Sequence, residues 1–137
     1  LAKCPNDSGT FMRGMSVSAE DFERMSAGGS VVELAAHSSW TVDSDTAFDF
    51  AALSSSEWEK KVKVLLIAES SSMKQISSLS NYQEEKESIG MRGTRFEVVR
   101  TEENQRARDE RGVRVVNIHI REVGKDKNPD ARFRSAP

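Results

Sequence analysis

The sequence predicts an α+β fold, on three observations. Its apolar segments run strand, helix, strand, helix, and then strands alone. Beyond position 60 no helical pattern separates the strands, as a doubly wound α/β sheet would require. Finally, 36% hydrophobic against 31% charged residues in 137 positions leaves material for one small core, better filled by sheets than by a large helical bundle.

Each element has its own signal. Pro5, Asn6, Asp7 and Gly9 read as an irregular lead-in. Thr10-Phe11-Met12-Arg13 is a short apolar run before Gly14 and predicts a strand that stops at a turn. Ser18 can cap a helix whose first turn holds Glu20 and Asp21, acids that suit the positive end of the helix dipole. Phe22 and Met25 mark its buried side, and Gly28-Gly29 ends it. Val31 to Ala36 predicts a strand leading into His37-Ser38-Ser39-Trp40-Thr41. Asp43 then caps a second helix, with Ala47, Phe48, Ala51 and Ala52 on its apolar face.

Residues 61–68 begin by alternating and become fully apolar, as expected of a strand running from a sheet edge into the core. Ile76 to Ser80 fits a short strand or turn, and Asn81 to Glu87 an acidic loop. Thr94 to Val99 and Val113 to Val123 predict strands, joined by a charged hairpin loop over residues 101–112. After Gly124 the composition turns to Lys, Asp, Asn, Pro and Arg and predicts a mobile tail.

Composition excludes several classes of function. Twenty basic and 22 acidic residues give a net charge of −2, so no global basic excess points to nucleic acid or an anionic membrane. A nucleic-acid substrate held by a local patch stays open. No apolar run approaches the roughly 20 residues that span a bilayer, so no membrane insertion is expected. Cys4 is the single cysteine, which rules out an intrachain disulfide and leaves zinc without a ligand set. Gly-x-Gly-x-x-Gly, the P-loop and Gly-x-Ser-x-Gly are all absent, which argues against Rossmann, P-loop and serine-hydrolase chemistry. The chain begins with Leu1 and reads as a piece of a longer protein, so targeting signals stay open.

Three separated pieces stand out. They are Phe11-Met12-Arg13-Gly14, then Ser39-Trp40-Thr41 followed by Ala47 and Phe50, then Tyr82-Gln83-Glu84-Glu85-Lys86-Glu87. In this order they resemble the arginine–serine–glutamate class of mono-ADP-ribosyltransferases. Gly93-Thr94-Arg95-Phe96-Glu97-Val98 is similar to the strand that follows the acidic loop in that family, and Val115 to Val123 to its closing strand. The resemblance covers Phe11 to Val123. The chain departs from the pattern at Trp40 and Thr41, at Ser88-Ile89, and in lacking the helical segment that often precedes the arginine strand.

The resemblance implies two packed, mainly antiparallel sheets with a central NAD⁺ cleft and a few short helices. The catalytic domain would span residues 1–123, with 124–137 as the tail. It implies cleavage of NAD⁺ and transfer of ADP-ribose to an acceptor, preferably an arginine on a target protein. The bearer would be a bacterial toxin or effector secreted or delivered into a target cell, or a phage-associated enzyme. A cognate immunity protein would accompany a toxin.

The chemistry asks for the same residue types. Breaking the nicotinamide–ribose bond builds positive charge on the sugar, as in glycoside hydrolysis, and a fixed carboxylate near the ribose favours that cation. Glu87 is the candidate. Arg13, with Gly14, would bind the NAD⁺ phosphates, because a guanidinium makes paired hydrogen bonds that lysine cannot copy. Ser39 would hold the Glu87 carboxylate, and Thr41 lies beside it in the cofactor site. Glu85 and Tyr82 would face the acceptor.

Each residue also has an ordinary reading. Arg13 fits a surface ion pair, Ser39 a helix-entry loop, and the acidic run a solvated face. Trp40 fits a core or pocket-wall position, His37 a structural one, and His119 has no expected role. Two rival functions stay open: a non-enzymatic module of a phage head protein with the same fold, and an NAD⁺ glycohydrolase with water as acceptor.

Overall fold

The computed structural model describes residues 6–34, 38–53, 61–75, 87–124, 126–129 and 131–133. Among the described residues there are eight strands and three helices, in the order β1 (Asn6–Ser18), α1 (Ala19–Ser26), β2 (Val31–Leu34), β3 (Ser38–Thr41), α2 (Ser44–Leu53), β4 (Lys61–Gln75), β5 (Glu87–Gly90), β6 (Arg95–Glu103), α3 (Gln105–Arg111), β7 (Val115–Val123) and β8 (Ala131–Phe133).

The ladder runs β1-β3-β5-β4-β7-β6-β2-β8, and β1 also pairs with β4. Strands β1, β3, β5 and β4 therefore close into a ring, while β7, β6, β2 and β8 form an arm. Only β4–β7 and β2–β8 are parallel; the other pairs are antiparallel. The two expected layers are present, but hydrogen bonds through β1 and β4 join them into one ladder folded onto itself.

The parallel pair explains the apolar run at 64–68. It lies mid-sheet with both faces covered, where strands lose their alternation. Val64, Leu66 and Ala68 enter the core between the layers, with Phe11, Met15 and Val17 of β1, Trp40 of β3, Phe96 and Val98 of β6, and Ile118 and Ile120 of β7. Leu65 points the other way, into a smaller core with Ala47, Phe48 and Ala51 of α2, Ala107 of α3 and Val115. Trp40 on the ring packs against Phe96 on the arm, with ring centroids 6.0 Å apart and a tilt of 34°. Burying a side chain such as Phe96 contributes about 1.5–3 kcal/mol.

Both predicted helix starts are capped as the sequence suggests. The Ser18 hydroxyl accepts from the Asp21 N–H at 3.1 Å. The Asp43 carboxylate accepts from the Asp45 N–H and from the Thr46 hydroxyl, each at 3.0 Å.

Four expectations are corrected. First, β1 does not stop at Gly14 but continues to Ser18. The glycine serves a close approach: a Cβ there would overlap the Ala47 carbonyl oxygen and the Ala51 nitrogen of α2. Second, β4 lies inside the sheet, between β7 and both β1 and β5, and extends past Ala68 to Gln75.

Third, the charged stretch before β7 contains helix α3 in place of an open hairpin loop. The Asn104 side chain caps it by accepting from the Ala107 N–H at 3.0 Å, and Gly112 ends it in the left-handed region at φ 65°. Ala107 supplies its buried contact, and Arg106 lies over the Phe48 ring, 4.1 Å from the centroid.

Fourth, the stretch after Gly124, read as a tail, contains β8, which pairs in parallel with the open side of β2. Arg95 explains the approach: its Nη1 donates to the Lys127 carbonyl at 2.6 Å while its Nε holds Glu33 of β2 at 2.9 Å.

Candidate active site

Pleat alternation puts Arg13 on the face of β1 that also carries Phe11, Met15 and Val17. Those three are buried in the interlayer core, so the Arg13 stem leaves from an apolar surface. Burial lowers its pKa from the usual arginine value, yet a guanidinium remains charged at any physiological pH. A half-buried cation needs oxygen partners. One is the Ser39 backbone: Arg13 Nη1 donates to the Ser39 carbonyl at 2.6 Å. The first predicted residue thus holds the strand that carries the second.

Register brings in the third. Met12 of β1 pairs with Thr41 of β3, and Thr41 pairs with Glu87 at the start of β5. Ser39 pairs with Ile89, two places along the same strand, which puts Ser39 diagonal to Glu87 across the ladder. Only the backbone of Glu87 is described. Glu85 and Tyr82, and also His37, lie outside the described residues. The structure therefore gathers Arg13, Ser39, Thr41 and the Glu87 backbone on three neighbouring strands from positions up to 74 apart in the sequence.

Gly14 and Thr41 support this arrangement. Gly14 admits α2 against β1. The Thr41 hydroxyl accepts from the Asp43 N–H at 3.0 Å and so shapes the turn from β3 into α2. Behind them, the Trp40 indole N–H donates to the Ser38 hydroxyl at 2.8 Å, while its ring is 1% exposed in the core. A Cβ on Gly90 would sit 2.6 Å from Trp40 Nε1 and 2.8 Å from Leu34 Cδ1. Glycine at 90 is what lets the tryptophan ring approach β5 this closely. Trp40, a departure from the family pattern, is thus a core residue that backs the site.

His119 is paired with Glu102, Nε2 to Oε1 at 2.8 Å, away from these strands on β7 and β6. That contact, followed by one from Asn117, lowers the Glu102 carboxyl below its usual range.

The sequence reading noted Ser88 only as a departure from the family pattern and missed Ser38 and Gly90, the other small residues around Trp40. Ser88 is 3% exposed opposite Trp40. Two small residues bracketing an apolar one in β5 were the only local signal.

The fold is that of the ADP-ribosyltransferases. Vis, an ADP-ribosyltransferase from Vibrio splendidus solved in complex with agmatine, superposes with a TM-score of 0.77 at 20% identity, over 96% of this chain and 57% of that one. ADP-ribosyltransferase HopU1 of Pseudomonas syringae pv. tomato gives 0.61 at 15% identity, over 86% and 46%. Exoenzyme S from Pseudomonas aeruginosa, solved with human 14-3-3 protein beta and carba-NAD, gives 0.58 at 16% identity, over 88% and 50%. The chain thus spans little more than half the length of the Vis structures. No family model and no curated protein matches the sequence, so the likeness is carried by the fold. Among the described residues no helix is long and apolar enough to cross a membrane.

Proposed function

We propose that this chain is the catalytic domain of a mono-ADP-ribosyltransferase that cleaves NAD⁺ and transfers ADP-ribose to an arginine of a target protein. The observation that carries the reading is that Arg13, Ser39 and the Glu87 position lie on the neighbouring strands β1, β3 and β5, with the Arg13 guanidinium on the Ser39 carbonyl, within a fold shared with such enzymes.

The residues fit NAD⁺ as co-substrate. A guanidinium rooted in the apolar face of β1 offers a cation where solvent screens it little, suited to a pyrophosphate. Gly14 and Thr41 set the wall beside it by fixing α2 and the β3 turn. The Ser39 hydroxyl orients the Glu87 carboxylate. That carboxylate accepts from the ribose hydroxyl and stabilises positive charge as the glycosidic bond breaks, a role worth about 2.7–4 kcal/mol in comparable preorganised sites. Glu85 and Tyr82 receive the acceptor. The agmatine complex of Vis supports a guanidinium acceptor, since agmatine carries that group.

The module would act inside a target cell after secretion or delivery within a larger protein. Vis is described as a toxin, and XopAI of Xanthomonas axonopodis pv. citri, a further structural neighbour, as a type III effector.

The test is nicotinamide release from NAD⁺ by purified protein, with agmatine or lysate as acceptor. Release with labelling of protein arginines is expected, and Glu87→Gln should abolish both. Release of free ADP-ribose without labelled protein would make the chain a glycohydrolase. No release under any acceptor condition would leave only a shared fold.

A further inference from the structure

Where β4 passes from β7 to β5, the strands hold an arrangement that the proposed mechanism leaves unused. β4 pairs with β7 up to Glu69↔Arg121 and later with β5 at Lys74↔Ile89 and Gln75↔Ser88. Between these stretches lies Ser70-Ser71-Ser72. Against β1, Gly9 pairs with Ser70 and Asp7 with Met73. One residue of β1 therefore faces two of β4, which is a bulge at Ser71 and Ser72. Bulges bend a strand and release N–H groups from the ladder.

One side chain takes up what the bulge releases. Glu122 Oε1 accepts from the Ser70 hydroxyl at 2.5 Å, the Ser71 N–H at 3.1 Å and the Ser72 N–H at 3.2 Å. Ser70 is 8% exposed, and its oxygen also accepts from the Ser72 N–H at 3.3 Å, so losing the Glu122 acceptor would leave a nearly buried hydroxyl and the Ser71 N–H to be satisfied otherwise. Hydrogen bonds to a charged acceptor are the stronger kind. Beyond the bulge, Met73 inserts into the interlayer core at 1% exposure and β4 meets β5. The partner of Gln75 is Ser88, the immediate neighbour of Glu87.

We propose that Glu122 is a positioning residue for ADP-ribosyl transfer. Its carboxylate fixes the bulge that carries β4 from β7 to β5, and through β5 it sets where Glu87 stands. The inference rests on the reading of Glu87 as the catalytic carboxylate.

The experiment is steady-state nicotinamide release by the wild-type chain and by Glu87→Gln, Glu122→Ala, Glu122→Gln and Ser70→Ala, with amide hydrogen exchange on the same proteins. Glu122→Ala should lower kcat about 10- to 100-fold with KM for NAD⁺ within about twofold, because an ångström-scale shift of a reacting group costs up to about 10²-fold. Glu122→Gln keeps an oxygen acceptor and should restore kcat to within about threefold, and Ser70→Ala should fall between the two. The Ser71 and Ser72 amides should exchange faster in Glu122→Ala and not in Glu122→Gln.

Wild-type kcat in a folded Glu122→Ala overturns the proposal, as do equal losses in the alanine and glutamine variants. If Glu122→Ala does not fold, Ser70→Ala at the wild-type kcat overturns it. The two readings fail separately. Glu87→Gln at the wild-type rate, or an inert wild type, sinks the catalytic assignment and what rests on it. An inactive Glu87→Gln beside an unaffected Glu122→Ala sinks the Glu122 role alone.

Discussion

At the β1–β3–β5 end of the sheet the contacts described are close and depend on fit, whereas at the β6–β2–β8 end the core residues Val32, Leu34, Phe96 and Val98 are joined by ion pairs on the other faces of the strands. At the first end α2 rests on Gly14 and the Trp40 ring on Gly90, each approach too tight for a Cβ. At the second, Glu33 holds Arg95, and Glu97 accepts from Arg121 and Lys127 at 3.5 Å each. At the other end of β6, Glu103 pairs with Arg114 at 2.9 Å, with both side chains about half exposed. The exposed pairs among these, such as Glu103–Arg114, adjust to substitution because water replaces the lost partner. A glycine under a helix backbone has no such substitute. Geometric precision is therefore concentrated where the candidate residues lie.

Four substitutions probe that contrast. Trp40→Ala should have the largest effect on stability, about 3–5 kcal/mol, because it empties a fully packed position between the layers. Chemical denaturation measures it, and a loss under about 1 kcal/mol would mean that the layers do not depend on this contact. Glu87→Gln should leave the melting temperature nearly unchanged and lower nicotinamide release by about 10²- to 10³-fold. A parallel loss of stability would make Glu87 structural.

Gly14→Ala should cost about 1–3 kcal/mol, seen as a melting point lower by several degrees. It should also raise KM for NAD⁺, because α2 must lift from the strand that carries Arg13. An unchanged melting point would show that α2 is not seated on β1. Arg114→Ala, at an exposed ion pair of β6, should change stability by no more than about 0.5–1 kcal/mol, less in high salt, and leave activity intact. A larger loss there would erase the distinction between close fit and exposed ion pairs.

Local signals made much of the fold legible. Ser18 and Asp43 marked two helix starts, and the apolar run at 64–68 marked a strand, though not its central place in the sheet. Gly14 was read as a turn because a glycine after a strand commonly is one. Its actual use depends on Ala47 and Ala51, more than thirty residues away. The Asn104 cap and the Gly112 terminator were present in the sequence, yet the dense charge around them suggested a loop. A single buried alanine, Ala107, decides for the helix once α2 and β7 are in place. Within the candidate site, the residue types at 13, 39 and 87 were legible as an ordered pattern. Glu122 was not, because nothing in the sequence marks a carboxylate facing a bulge fifty residues earlier.

What the sequence by itself determined was periodicity, capping and the order of reactive residue types, all properties of neighbours along the chain. The pairing of β1 with β3 and of β3 with β5, the helix lying on Gly14, and the Arg13 guanidinium on the Ser39 carbonyl were decided only by tertiary structure. The physical reason is that strand pairing and close packing join groups far apart in sequence. Their free energy is realised only when the whole sheet has formed and water has been removed from between its layers.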